Sequence, residues 1–156
     1  MVVLDTDVLL LAFAFQRDTR QPANQTFLQQ VRTESLSITI YNLMELLGQL
    51  SFNLSPERLA NYPSWLLDAY QLTVIWPYQP EETISFAAFR DEVFTRPFAR
   101  MRAVKMPFMD SLILNLAERI PNVTAFVTWN ARHFQDKSTL PVMTPAAYPT
   151  GPSQPG

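Results

Sequence analysis

Three carboxylates lie far apart in the sequence but hold equivalent places relative to the elements around them. Asp5 ends an apolar run, Val2–Asp5. Glu45 lies in the first turns of a helical segment that follows the run Leu36–Thr39. Asp110 lies in the first turn of a segment that begins at Pro107. If these runs are parallel strands, the three acids meet at one edge of the sheet, where strand ends face helix N-termini and function gathers in such folds. Close carboxylates repel: two charges about 4 Å apart cost roughly 4 kcal/mol at an effective dielectric near 20. A proton or a cation must compensate. Hard oxygen donors, in a chain with no Cys and one His, suit Mg²⁺ or Mn²⁺. Such an ion can orient a phosphodiester, stabilise its developing charge and activate water.

The elements that must position these acids follow from hydrophobic pattern. The runs Val2–Asp5, Leu36–Thr39, Leu72–Trp76 and Thr124–Thr128 are rich in β-branched and aromatic residues, and Leu140–Thr144 is a weaker fifth strand. Helical segments lie between them. They are Val8–Phe15, Asn24–Arg32, Asn42–Leu50, Pro56–Ala69, Glu81–Phe94 and Pro107–Arg119, with Ser55 as N-cap and Pro56 at N1 of the fourth. Strands that alternate with helices, and apolar runs that do not themselves alternate, predict an α/β fold with a mostly parallel sheet covered on both faces.

Composition narrows the chemistry. The chain has 156 residues, one domain's worth, and 47% of them are hydrophobic, enough for one substantial core. Fourteen acids against 12 bases give a net charge of -2, which excludes a globally basic nucleic-acid coat. The lack of Cys excludes disulfides, thiolate-held zinc and thiol catalysis. No apolar run reaches the roughly 18–20 residues of a membrane span, and Met1–Asp5 has no basic n-region. A cytoplasmic protein is expected, with one domain over residues 1–148. A Pro- and Gly-rich tail, 149–156, is expected to fray.

Each acid also has a structural role open to it. Asp5 could start a turn or cap a helix. Asp7 reads better as the N-cap of Val8–Phe15 than as a ligand. Glu45 stands three residues after Asn42, the spacing of a capping box. Asp110 complements a helix dipole with or without a metal. Asn130 could form a turn, and His133 alone reads as a surface or packing residue. The case for chemistry rests on joint placement.

Four segments carry a resemblance. Val2-Val3-Leu4-Asp5-Thr6-Asp7-Val8-Leu9-Leu10, Ile40-Tyr41-Asn42-Leu43-Met44-Glu45-Leu46, Phe108-Met109-Asp110-Ser111-Leu112-Ile113-Leu114 and Phe126-Val127-Thr128-Trp129-Asn130-Ala131-Arg132-His133-Phe134 occur in that order, with Met143-Thr144-Pro145 near the end. Over about residues 1–148 the chain resembles the PIN-domain ribonucleases, especially the small toxins of bacterial VapBC-type toxin–antitoxin pairs. The resemblance implies a three-layer α/β/α sandwich around a five-stranded sheet, and a Mg²⁺- or Mn²⁺-dependent endoribonuclease. It implies Asp5, Glu45 and Asp110 as metal ligands and catalytic residues, supported by Thr6, Asp7 and Thr128. The fourth catalytic position falls on Asn130, which as an amide can orient but adds no negative charge. His133 stands where many members have another acid. One firmly held ion is therefore expected, with any second arriving with substrate. An antitoxin partner and a homodimer are implied in the same way.

Arg96, Arg100, Arg102 and Lys105 fall in ten residues with no acid, just before the Asp110 helix. They could grip phosphates that flank the scissile one, or only solvate a loop. Trp129 could stack a base, whereas Tyr41 reads as core. Two rival enzymes fit poorly. Asp5-Thr6-Asp7 is similar to the nucleophile loop of haloacid-dehalogenase-type phosphatases, but no paired acids follow Thr128. A receiver domain needs an Asp where this chain has Trp76-Pro77. The stronger alternative is a PIN-like module that binds RNA or protein without cleaving it.

Overall fold

The computed structural model describes residues 1–15 and 17–149. The expected tail, 149–156, therefore lies outside the described residues except for Pro149. Five short strands, β1 (Val2–Leu4), β2 (Leu36–Thr39), β3 (Leu72–Ile75), β4 (Ala125–Val127) and β5 (Val142–Met143), form one sheet in the order β3-β2-β1-β4-β5. Every pairing is parallel. All five predicted strands are present, each within a residue or two of its expected ends.

Helices α1 (Thr6–Phe13), α2 (Gln21–Gln30), α3 (Ile40–Leu50) and α4 (Pro56–Tyr70) follow the first two strands. Helices α5 (Phe86–Arg90), α6 (Arg96–Val104), α7 (Phe108–Ala117) and α8 (Ala131–Phe134) come later. The pleat sends alternate residues to opposite faces. Val2, Leu4, Ala125 and Val127 thus join one core with Val8, Phe27, Leu46 and Leu66 from α1 to α4. Val3 and Phe126 join a second core with Ile113 and Leu116 of α7 and Phe134 of α8. Two cores on the two faces of one sheet make the expected three layers.

Three local expectations need correction. The helix expected over Glu81–Phe94 starts only at Phe86, because Ser85 caps it: its side chain accepts from Ala88 N at 3.1 Å. It then runs through a wide π turn, Asp91–Thr95, directly into α6. The wide turn lies just ahead of Pro97, whose ring would otherwise clash with the carbonyl four residues back. So the basic stretch is helical, not a loop. The N-cap of α1 is Asp5, not Asp7: Asp5 is extended (φ -81°, ψ 160°) and its carboxylate accepts from Thr6 N at 2.8 Å. The capping box of α3 joins Thr39 and Asn42, each side chain accepting from the other's backbone N–H, and Glu45 has no part in it.

In this strand order the chain leaves β1 toward β2 and β3 on one side, and β4 and β5 lie on the other. The carboxyl ends of β1 and β4 therefore flank the switch point, where the helices diverge and leave a crevice. Asp5 follows β1 and Thr128 follows β4.

Candidate active site

The crevice holds a cleft of about 180 Å³ lined by Asp5, Thr6, Asp7, Leu10, Glu45, Gln49, Asp110, Asn130 and Phe134. Thus the three acids separated by up to 105 residues meet, and Asp7 joins them. Among the described lining residues there are four carboxylates and no Lys or Arg. Larger hollows lie elsewhere on the surface, but they gather no such chemistry.

Each acid is held by its own element. Asp5 is buried, and its Oδ1 accepts from Thr6 N and, at 3.1 Å, from Asn42 Nδ2. Asn42 is fully buried and also bonds Thr39, so one amide connects the starts of α1 and α3. Glu45 sits nearly one turn further along α3, and its Oε2 accepts from the Thr6 hydroxyl at 2.5 Å. Asp7 is clamped by the end of β4: it accepts from the Thr128 hydroxyl (3.1 Å) and from the backbone N–H groups of Trp129 and Asn130, both at 3.2 Å. Asp110 opens from the first turn of α7, with His133 Nε2 3.0 Å from its Oδ2.

The electrostatics follow from this crowding. Burial first, then the charge on Asp7, pushes Asp5 up to about 8. Burial also raises Asp7, opposed chiefly by its hydrogen bonds to Trp129 N, Thr128 and Asn130 N. Asp110 is raised by burial and by Glu45, against the pull of His133. The cleft therefore favours protons or a cation over bare negative charge.

A divalent ion fits the donor set, since four hard carboxylates face one cleft whose described lining has no Lys or Arg. The fit is open rather than cage-like: among the described residues, no group of three Asp, Glu or His side chains is placed to hold one ion as it stands. An ion held there would keep several waters and meet one or two carboxylates together with substrate phosphates.

The other sequence candidates divide sharply. Thr6 and Asn130 line the cleft. Thr128 is fully buried and its hydroxyl is committed to Asp7 and to Asn130 N, so it orients Asp7 instead of reaching for a phosphate. Trp129 donates its indole N–H to Asn24 Oδ1 at 2.8 Å, and the Arg20 guanidinium lies 5.7 Å from its ring centroid. None of the four bases of α6 and its C-cap lines the cleft. Arg100 is tied to Glu118, to Asn115 Oδ1 at 2.7 Å and to the Lys137 carbonyl at 2.9 Å; it braces α6 against α7 and does not face outward as a phosphate grip. Arg96 pairs with Asp91 at 2.5 Å. Arg102 and Lys105 are exposed. Tyr41 is half-buried and donates to Glu92 at 2.8 Å.

Sequence reasoning missed the support layer. Asn42 was legible only as part of a cap, yet it holds Asp5. The Thr39/Asn42 spacing was the available signal, obscured because N3 of a capping box is usually Glu or Gln. Gln49 has the i+4 position from Glu45 and shares its face. The closeness of His133 to Asp110 had no sequence signal, since it depends on how α8 folds back toward α7.

No family model and no curated protein matches the chain. Among solved structures, it is similar to a chain in the crystal structure of VapBC2 from Rickettsia felis bound to a DNA fragment from their promoter, with a TM-score of 0.64 and 16% identity over 92% of this chain and 98% of that one. At that identity the likeness is one of fold, and it agrees with the resemblance carried by the four sequence segments: this chain has the PIN-like, all-parallel α/β/α fold.

Proposed function

We propose that this chain is a metal-dependent endoribonuclease, the toxin of a type II toxin–antitoxin pair. The observation that carries the reading is the convergence of Asp5, Asp7, Glu45 and Asp110 on one cleft at the switch point, with no basic residue among its described lining. Asp5, Glu45 and Asp110 would hold Mg²⁺ or Mn²⁺, directly or through water. When bound, the ion lowers the pKa of a water and offsets charge on a nonbridging phosphate oxygen. The chain's own groups do the rest. Asn42 and Thr6 fix the carboxylates of Asp5 and Glu45. The β4 end fixes Asp7. The Asn130 amide, at the cleft wall, can donate to a phosphate oxygen.

A protein antitoxin belongs to the same proposal, supported by the fold shared with a chain of a VapBC2 complex. A homodimer is proposed on the resemblance carried by the sequence segments, and a cytoplasmic location on the lack of a membrane-length apolar run in the sequence. Among the described residues no helix is long and apolar enough to cross a membrane. The test is sequencing of RNA 5′ ends after induced expression of the wild type and of Asp110→Ala. New ends produced only by the wild type, and matched by Mn²⁺-dependent cleavage with purified protein, support the reading. Wild-type protein that cuts no RNA with Mn²⁺, and behaves as Asp5→Asn does, overturns it in favour of a binding module.

A further inference from the structure

The chain's single imidazole stands beside the cleft, not on the open surface. His133 Nε2 is shielded from solvent, lies 3.0 Å from Asp110 Oδ2, and has no hydrogen-bond partner with aligned geometry. The ring is set edge-on to Phe134, with centroids 5.3 Å apart and planes at 87°. Phe134 and Asp110 both line the cleft. A buried polar atom without an aligned partner calls for an explanation, and an ion is one. Two donors on adjacent corners of an octahedral ion, each about 2.1 Å from it, lie about 3.0 Å apart. Nε2 and Oδ2 have that separation.

We propose that His133, through Nε2, is a direct nitrogen ligand of the same ion that Asp110 holds, and that it tilts the site from Mg²⁺ toward Mn²⁺. The inference rests on the metal-dependent reading above and adds the identity of a donor. Imidazole suits transition-metal ions, whereas Mg²⁺ keeps to oxygen. A neutral nitrogen also brings no further charge into a cleft that already holds four carboxylates.

Pulsed electron paramagnetic resonance of the Mn²⁺-loaded full chain tests this, with histidine labelled by ¹⁵N. Because the chain has one His, a histidine nitrogen coupling has one source. The expected result is a directly bonded nitrogen coupling that changes with the isotope and disappears in His133→Phe. By calorimetry, His133→Phe should weaken Mn²⁺ roughly tenfold or more, while Mg²⁺ changes by less than about threefold. His133→Asp serves as a second variant that restores a donor: it should bind Mn²⁺ without nitrogen coupling and bind Mg²⁺ more tightly than the wild type does. Mn²⁺ bound by the wild type without histidine coupling overturns the proposal, leaves the metal reading intact, and marks His133 as only an ion-pair partner of Asp110. A wild type that binds no Mn²⁺ overturns both.

Discussion

The acidic cleft and helix α6 both concentrate charge of one sign, but two bases of α6 meet acids from neighbouring elements. Arg96 has Asp91, Arg100 has Glu118, and the Arg102 guanidinium lies 5.8 Å from the Phe98 ring centroid. The cleft gathers four carboxylates and leaves three of them with raised affinity for protons. Glu92 sharpens the contrast. It is as buried as any acid in the chain, yet it has the Tyr41 hydroxyl at 2.8 Å and Arg119 at 2.6 Å. A charge supplied with partners braces the fold, and a charge gathered with its like awaits a ligand. Linear clustering in the sequence pointed to α6; clustering in space points to the cleft.

The largest effect should come from breaking the cleft. Asp110→Ala should lower Mn²⁺-dependent RNA cleavage by at least about 10²–10³-fold, the scale at which removing one aimed charge-stabilising group acts. Single-turnover cleavage of one RNA measures it. The fold should survive, because Asp110 is partly exposed in the first turn of α7 and braces no core. A loss of activity that merely tracks a loss of helical signal would remove the distinction between the two regions.

Arg100→Ala probes the opposite region. It would leave Glu118 without its guanidinium and the Lys137 carbonyl without its donor, and should cost about 2–3 kcal/mol of stability, somewhat below a fully buried pair because both side chains keep some solvent contact. Urea unfolding measures it. RNA affinity per folded molecule should not change.

The raised Asp5 carboxyl yields a pH dependence with a definite sign. The folded chain holds a proton that the unfolded chain has released between about the ordinary 3.8 and about 8. Stability without metal must therefore fall as pH rises through that window. A loss of at least about 1.4 kcal/mol between pH 5 and pH 8, the worth of one pKa unit, is expected in chelator. Added Mn²⁺ should oppose the loss, since it binds the carboxylate form. Asp5→Asn should reduce the dependence without costing the cap, because Asn caps α1 about as well as Asp, and the raised Asp7 and Asp110 carry the remainder. A flat profile for the wild type would mean that the cleft tolerates its charges without help.

Glu45 separates what was legible from what was not. The five strands and the three spaced acids could be read from apolar runs and strand ends, because a parallel sheet buries its strands on both faces and gathers polar groups at their carboxyl ends. The cap of α3 could not, because Thr39 and Asn42 satisfy each other where Asn42 and Glu45 had the expected spacing. Nor could the start of α5 or the fate of Arg100, which depend on Ser85, on the π turn and on a Glu 18 residues away. Glu45→Gln should accordingly weaken Mn²⁺ by about tenfold and alter stability by less than about 0.5 kcal/mol, since no cap is lost. Calorimetry and a thermal melt give the two numbers. A fall in melting temperature at unchanged metal affinity would return Glu45 to a structural role.

The smallest effects should come from the two bases near Asp110 that have no acidic partner among the described residues. Arg102 is exposed on α6, and Lys105 ends it in the left-handed conformation, φ 52°. Exposed charges like these interact weakly and are screened within about 8 Å at physiological salt. If they touch phosphates that flank the cleft, each substitution to Ala should reduce the salt slope of RNA binding by about 0.7, as for one contact on a single strand. Affinity should change only a few-fold, with no change in melting temperature. Arg96→Ala and Arg100→Ala should leave the slope alone, because their charges already meet Asp91 and Glu118. The slope therefore distinguishes bases that brace the helix from bases that meet RNA. A full loss of slope with Arg100→Ala, at unchanged stability, would mean that its internal pairing yields to substrate.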